Sequence, residues 1–461
     1  MMTFIHQIRR NLPALPAWLS TCLLACLLLW SARFSPLYSQ MTQLAPTPPM
    51  GWNSWDAYGT TVKEDEVKAN ADAMASGLKQ FGWQYIVIDI QWYEPNAQAH
   101  GYRPNAQLSM DSNGRLVPAA NRFPSSANGQ GFKPLADYVH SKGLKFGIHI
   151  LRGIPRQAVA QNALILGSTF HAADVANKES LCEWNTDMYG VDMSKPGAQF
   201  YYDSIVALYA KWGVDFIKAD DMSRPYHKDE VTALHRAIVK SGRPIVLSLS
   251  PGPAPLEEVQ DLRANAQMWR IEDDLWDNWG SLKQMYFRAE SWAPFVIPSH
   301  WPDADMLPLG HIGIRAERGD DRLSKLSHDE QKTLMTLWSI FRSPLMFGGD
   351  LPSLDSFTRT LLTNAEILSV NQHSTENEVV YKEGDIRVWT AKADTGSDRY
   401  IAVFNLSDSA STVHLSWAQI GITAVPTSTR ELWTQSSETM PAALEVKLAP
   451  HASAIYSVVV H

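Results

Sequence analysis

Asp215-Phe216-Ile217-Lys218-Ala219-Asp220-Asp221 is a short apolar strand pattern that runs out into a lysine and two carboxylates. Alternate side chains of a strand share a face, so Lys218 and Asp220 point one way and Asp221 the other. Met268-Trp269-Arg270-Ile271-Glu272-Asp273-Asp274 repeats the design, and as a strand it places Arg270, Glu272 and Asp274 on one face. Acidic residues after a strand also serve as turn formers or as caps for the next helix. Two strand ends that each deliver a carboxylate and a cation point to a pocket for acid chemistry on a polyhydroxylated substrate.

Around these stretches, residues 48 to 365 alternate strand-like and helix-like segments, the pattern of a parallel sheet. Strands are predicted at Pro49–Trp55, Tyr85–Trp92, Leu144–Ile150, Asp215–Asp220, Pro244–Ser250, Met268–Asp274, Pro294–Pro298 and Pro344–Gly348. Helices are predicted at Lys63–Phe81, Phe132–Lys142, Gly197–Trp212, Lys228–Lys240, Pro255–Asn265, Trp279–Glu290, His328–Phe341 and Ser353–Asn364. Eight such pairs are what an α/β fold of the (β/α)8 TIM barrel type requires. The longest gaps, 93–131 and 151–196, follow the second and third strands and so fall at the C-terminal mouth, where such barrels keep their sites. From about residue 366 the pattern becomes short alternating runs between Gly, Asp, Ser and Pro turns, seven of them from Glu378 to Val459, which predicts an antiparallel β-sandwich. The expected division is a leader over 1–40, a barrel over 41–365 and a sandwich over 366–461. The sandwich carries no catalytic cluster; its default role is packing on the barrel, with carbohydrate binding as the alternative.

The leader expectation rests on Arg9 and Arg10 preceding the apolar run Ala17–Trp30, which is short for a bilayer span of about 20 residues but suits a signal-peptide core. Export to the periplasm or medium follows from it, with an uncleaved membrane anchor as the alternative. Hydrophobic residues at 45% and charged residues at 19% are ordinary for a globular enzyme, and a net charge of −8 argues against nucleic acid or an anionic membrane surface as partner. Cys22 and Cys26 lie in the leader, leaving Cys182 alone, so no internal disulfide, CxxC metal site or redox pair is expected in the mature chain. Seventeen tryptophans offer faces for sugar rings, although most tryptophans in any protein are core.

Sorted by strand end, the chemistry-bearing residues are Trp55 and Asp56, then Asp89 and Trp92, His149 and Arg152, Lys218 and Asp220, Ser250, Arg270 and Asp274, and Asp303 and Asp305 in a loop after the seventh strand. A glycosidase needs two carboxyl groups flanking the bond it breaks, and Asp220 and Asp274 are the pair. Lys218 is placed to keep Asp220 ionised and Arg270 to do so for Asp274. Asp221 and Asp273, on the opposite faces, are read as cappers or partners of the surrounding helices. Arg152 and Arg156 either bind the leaving group or brace a long loop. Two other function classes compete: a metal-dependent barrel enzyme with Asp220, Asp221, His149 and Asp305 as ligands, and a sugar-binding protein without catalysis. Carboxylate-heavy ligands without an HxH after the first strand weigh against the first, and the presence of both carboxylates against the second.

Pro49-Met50-Gly51-Trp52-Asn53-Ser54-Trp55, Ile88-Asp89-Ile90-Gln91-Trp92, Ile217-Lys218-Ala219-Asp220, Arg270 to Asp274 with Trp279, and Trp301-Pro302-Asp303-Ala304-Asp305-Met306-Leu307 resemble, in order and spacing, the motifs of glycoside hydrolase family 27, the retaining α-galactosidases or melibiases. The resemblance runs from about residue 47 to 350. It implies a cofactor-independent enzyme acting on a terminal sugar of an oligo- or polysaccharide, with Asp220 as nucleophile and Asp274 as acid/base, carboxyls about 5 to 5.5 Å apart. It also implies sugar-binding roles for Trp55, Asp89, Lys218, Arg270 and Asp305. The chain departs from the family pattern at four places. Ile90 stands where the common galactosidases have the second of two consecutive aspartates, a pair that grips the axial 4-hydroxyl and the 6-hydroxymethyl group. His149 replaces a tyrosine, Ser250 opens a stretch that usually bears a glutamate, and Met222 takes the place of the cysteine that would pair with Cys182. α-D-Galactosyl hydrolysis is the expectation from the family. β-L-Arabinopyranose, which is galactose without C6, and isomalto-glucans are the alternatives that Ile90 raises.

Overall fold

A computed structural model of the chain describes residues 44–394, 398–439 and 442–460, and the leader with Cys22 and Cys26 lies outside them. Eight strands, β1 (Met50–Asn53), β2 (Tyr85–Ile88), β3 (Lys145–Leu151), β4 (Phe216–Asp220), β5 (Val246–Leu249), β6 (Met268–Arg270), β7 (Trp301–Asp303) and β8 (Leu345–Phe347), form one sheet in the order β7-β6-β5-β4-β3-β2-β1-β8. Every neighbouring pair is parallel. Leu307, just past β7, bridges in parallel to Phe347 of β8, and that contact closes the sheet into a (β/α)8 barrel. The strands are short runs buried almost throughout, as parallel strands covered on both faces must be.

Helices follow the strands: α1 (Glu64–Gly77), α2 (Lys133–Ser141), α3 (Ala198–Trp212), α4 (Lys228–Ser241), α5 (Val259–Asn265), α6 (Trp279–Trp292), α7 (His328–Phe341) and α8 (Ser356–Thr363). Local chemistry fixes their ends. Asn278 caps α6 and Asp355 caps α8, each accepting a hydrogen bond from a first-turn N–H, and Ser327 with Glu330 forms a capping box on α7. Trp52, Trp83, Trp92, Trp301 and Trp338 are wholly buried, and each indole N–H reaches a backbone carbonyl.

Two of the strand expectations are corrected. Pro294–Pro298 is not the seventh strand: α6 runs on to Trp292 and is followed by a 3-10 turn, Ala293–Phe295, with Pro294 in its first turn. An apolar run between two prolines imitated a strand. The real strand, Trp301–Asp303, was hidden by Pro302, which is tolerated because β7 is laddered on one side only, to β6. The sixth strand stops at Arg270, so Glu272 and Asp274 do not share its face. Glu272 turns outward to Arg288 and Gln284 of α6.

The C-terminal region forms a six-stranded antiparallel sheet and a two-stranded one. Its strands are β9 (Thr375–Glu383), β10 (Ile386–Lys392), β11 (Arg399–Asn405), β12 (Ser411–Leu415), β13 (Ser428–Glu431), β14 (Ser437–Thr439), β15 (Leu444–Leu448) and β16 (Ser453–Val459). The larger sheet runs β9-β10-β11-β16-β13-β14, and β12 pairs with β15. Residues of β14 carry no apolar alternation and were not expected as a strand. One face of the larger sheet, with Trp389, Phe404 and Ile455, joins the barrel core, and the other packs with Val413, Leu415 and Leu444 into a second core. Trp389 donates to the Tyr286 hydroxyl of α6, and Trp279 at the start of α6 stacks on His451 at 4.0 Å. Among the described residues no helix is long and apolar enough to cross a membrane.

Candidate active site

The C-terminal ends of the barrel strands surround a cavity of about 230 Å³. Trp55, Asp89, Ile90, Lys218, Asp220 and Asp274 line it. His149, Ser250, Arg270 and Asp305, also expected there, lie behind its wall with almost no exposed surface.

At the floor, β4 and its neighbours set the geometry. Lys218 pairs in register with His149 of β3, so both project at one level. The Lys218 ammonium donates to Asp89 Oδ2 at 2.8 Å, and Asn53 Nδ2 donates to the same oxygen at 2.7 Å. Burial raises the Asp89 pKa, but Lys218 and His149 outweigh it and hold the carboxyl below its ordinary range. Asp220 is two residues beyond Lys218 on the same face. Its Oδ2 lies 3.2 Å from His149 Nε2, and its Oδ1 accepts the Asp221 N–H at 2.9 Å. Burial again pushes up, while the hydrogen bond and charge of His149, then Lys218, pull harder, so Asp220 sits well below the usual carboxylate range. The result is a largely enclosed, ionised carboxylate facing the cavity, its side chain 14% exposed.

Asp274 is held differently. It sits on the loop after β6, its side chain 41% exposed, with Arg270 Nη2 at 3.3 Å from Oδ1. Arg270 also pairs with Asp305 at 2.8 Å, both side chains being buried. Asp305 in turn accepts the Leu275 N–H at 2.7 Å and so pins the loop one residue past Asp274. Burial, with Asp274 and Asp303 adding and Arg270 opposing, pushes the Asp305 carboxyl up to about 7. Asp303 accepts the Asp305 N–H at 2.9 Å and supports this bend, where Asp305 takes φ 82.

Asp221 faces away from the cavity, as its place in the strand predicts, and forms a buried ion pair with Arg152, which also reaches Glu230 at 2.8 Å. Arg156 donates to the Met188 carbonyl and covers the Tyr189 ring. Both arginines therefore brace the 151–196 loop. Asp273, expected to face away, instead lines the cavity and pairs with Arg224 at 2.8 Å. The strand ends before it, so strand alternation never applied. Asp56 is buried on a one-turn helix, Trp55–Tyr58, with Oδ2 unpartnered; a Cβ on Gly348 would lie 1.9 Å from that oxygen. Burial, reinforced by Asp305, raises its pKa well above the ordinary value.

Sequence reasoning missed Tyr102, Trp184, Arg224, Pro251, Glu317 and Arg318, which also line the cavity. Tyr102 stacks on Trp55 at 6.2 Å and meets Trp184 at 5.4 Å. Aromatic residues inside the two long gaps were the one available signal. Ser250 Oγ is buried without a partner, and Pro251 takes its place at the wall. Among the described residues no group of His, Cys, Asp and Glu is arranged to hold a metal ion, since Asp221 is bound to Arg152 and Asp305 to Arg270. Cys182 is a buried free thiol, its pKa pushed up to about 12 by burial.

A family model described as Alpha galactosidase A matches residues 47–195 and 189–373. The alpha-galactosidase of Cyamopsis tetragonoloba is 30% identical over 422 residues, covering 90% of this chain and 86% of that one. Among solved structures, a GH27 β-L-arabinopyranosidase from Geobacillus stearothermophilus is 52% identical, with TM-score 0.89 and coverage of 91% of this chain and 98% of that one. Alpha-galactosidase I from Mortierella vinacea, 23% identical with TM-score 0.68 over 90% of this chain and 98% of its own, shares the fold.

Proposed function

The chain belongs to the alpha-galactosidase family of glycoside hydrolases, and from that premise we propose that it is a retaining exo-glycosidase that releases terminal β-L-arabinopyranosyl residues. The observation that carries the choice of sugar is Ile90. Its side chain lines the floor of the cavity beside Asp89, where a second carboxylate would bind the hydroxymethyl group of galactose. A buried hydroxyl left without a partner there costs roughly 1–3 kcal/mol. An arabinopyranose has a bare C5 methylene at that place, and its contact with Ile90 is apolar. The 52% identity to an arabinopyranosidase supports the same choice.

In this reading Asp220 attacks the anomeric carbon while Asp274 gives its proton to the departing glycosidic oxygen, leaving a glycosyl ester on Asp220. Asp274, now a carboxylate, takes a proton from water, which attacks the same carbon and releases Asp220 with net retention. The His149 and Lys218 contacts favour the ionised nucleophile, and the exposure of Asp274 favours proton exchange with water. Arg270 and Asp305 position Asp274 from behind.

Initial rates on 4-nitrophenyl β-L-arabinopyranoside and 4-nitrophenyl α-D-galactopyranoside, with Asp220→Asn as blank, test the proposal. Faster arabinoside turnover is expected. Faster galactoside turnover would overturn the choice of sugar in favour of the activity for which the 30% identical relative is named. Cleavage of neither would direct attention to isomalto-glucans. On the same footing, residues 1–40 are proposed as an export leader, which N-terminal sequencing of enzyme recovered outside the cytoplasm would test.

A further inference from the structure

Arg270 ends β6 and Trp279 begins α6, so Asp274 sits within residues 271–278, which belong to neither strand nor helix. Its own carboxyl is lightly held, 41% exposed and 3.3 Å from Arg270. Where that carboxyl stands therefore depends on where the backbone around it is fixed. One anchor is the Leu275 N–H on Asp305 at 2.7 Å. A second is Asp277, three residues past Asp274. Arg322 grips both of its oxygens, Nη2 on Oδ1 at 2.7 Å and Nε on Oδ2 at 3.0 Å, and the Lys325 N–H donates to Oδ2 at 2.9 Å. A two-point grip of this kind fixes direction as well as distance, which a single ammonium does not.

The pair is enclosed and the fold makes room for it. The Arg322 and Asp277 side chains are 15% and 5% exposed. Arg322 lies on the short antiparallel ladder between His311–Ile312 and Arg322–Leu323, and its Nη1 donates to the Asp320 carbonyl at 3.0 Å. A Cβ on Gly313 or on Gly319 would come within 2.7 Å of the guanidinium. The same loop, residues 311–325, is fastened to the one-turn helix that carries Trp55: the Gly313 N–H donates to the Asp56 carbonyl at 2.8 Å and the Arg315 N–H to the Ala57 carbonyl at 3.0 Å. It thus joins the Trp55 wall of the cavity to the segment of Asp274. Asp277 and Arg322 themselves lie outside the cavity lining, so neither is placed to touch a substrate.

Resting on the glycosidase reading above, we infer that the Asp277–Arg322 pair positions Asp274, so that the proton donor is held from the 311–325 loop as well as from the barrel floor. Proton delivery requires the donor oxygen within hydrogen-bond reach of the glycosidic oxygen, and a misplacement of about 1 Å costs on the order of 10²-fold. Attack by Asp220, which is carried on β4, does not pass through this segment. Loosening the pair therefore slows substrates that need a proton and spares those that do not.

The test reads proton delivery separately from the state of the fold. Phenyl and 2,4-dinitrophenyl β-L-arabinopyranosides share their sugar and the aromatic ring of their leaving group, but phenoxide departs poorly without a proton and dinitrophenoxide departs readily. The quantity compared is the ratio of kcat/KM for the phenyl to that for the dinitrophenyl glycoside. It is measured in the wild type, in Arg322→Lys, which keeps the charge and loses the fork, and in Asp277→Asn/Arg322→Gln, which removes both charges and strands neither. A fall of about tenfold is expected in the double variant and a smaller one in Arg322→Lys, both in the same direction as the larger fall in Asp274→Asn. An unchanged ratio in the double variant, or losses equal on the two substrates, overturns the positioning role and leaves the glycosidase reading intact. Should the double variant fail to fold, Arg322→Lys decides by the same criterion. A wild type that hydrolyses neither the arabinosyl nor the α-D-galactosyl dinitrophenyl glycoside overturns the glycosidase reading, and the positioning role with it. If the galactosyl series is the faster one, the same ratio measured there decides the positioning role alone.

Discussion

Residues 215–221 and 268–274 look alike in sequence, each an apolar run that ends in a cation and carboxylates, yet the fold uses them in opposite ways. The first remains a strand through Asp220, so its carboxylate is locked in register, mostly enclosed, and held ionised by His149 and Lys218. The second leaves the sheet at Arg270, so Asp274 rides on a loop, half open to water and tied back through Arg270 and through Asp305 at the Leu275 N–H. A nucleophile gains from a fixed position and a stable charge, whereas an acid/base must exchange its proton twice per turnover. Strand length after the last apolar residue thus puts two chemically identical side chains into two environments, which suit the nucleophile and acid/base roles proposed for them.

The sharpest way to break this comparison is to remove each carboxylate in turn. Asp220→Asn should lower kcat by about 10⁴-fold or more on every substrate. Asp274→Asn should cost about 10²–10⁴-fold on a disaccharide but far less on a glycosyl fluoride, whose leaving group needs no proton. Steady-state rates on both substrates check this, and equal losses would erase the distinction. Next in size, Arg270→Met should destabilise the fold by about 3–5 kcal/mol in urea unfolding, because it strands buried Asp305, whereas Arg224→Met, breaking a half-exposed pair, should cost at most about 1 kcal/mol. Ile90→Asp should move the ratio of arabinoside to galactoside kcat/KM by about tenfold toward galactoside.

Two smaller effects concern protons. In His149→Phe the carboxylate of Asp220 keeps its burial but loses its main opposing partner, so its pKa rises and the acid limb of kcat/KM against pH moves to higher pH. A limb that stays in place would mean that His149 does not govern Asp220. Asp56 has a raised folded pKa, so its contribution to stability is present below the ordinary carboxylate pKa and is lost as pH rises toward the folded value. Asp56→Asn should flatten that dependence, with thermal unfolding between pH 4 and 8 showing the variant stabilised relative to wild type at the alkaline end.

Much of this was legible in the chain. Runs such as Tyr85–Ile88 and Phe216–Asp220 are apolar throughout because both faces of a parallel sheet are covered, and the polar residues that end them mark the mouth. Asp220, Lys218 and Asp89 were placed at the cavity by that logic, whereas Asp274 reaches it from a loop, its strand having ended at Arg270. What was not legible depends on where strands stop and loops turn. Pro302 disguised β7, and the early end of β6 sent Glu272 to Arg288 and Asp273 into the cavity. Tyr102 and Trp184 lie in long segments without any period, where only tertiary packing decides which aromatic ring turns inward. His149 and Arg270 stood at expected strand ends and Asp305 in the expected loop, but packing around them, not alternation along a strand, determines that they lie behind the wall.

The most direct test of the account is to trap the intermediate with a 2-deoxy-2-fluoro glycosyl fluoride of the preferred sugar and sequence the labelled peptide by mass spectrometry. One glycosyl adduct, on Asp220, that turns over slowly is expected. An adduct on Asp274, or turnover without any adduct and with inverted product, would contradict it.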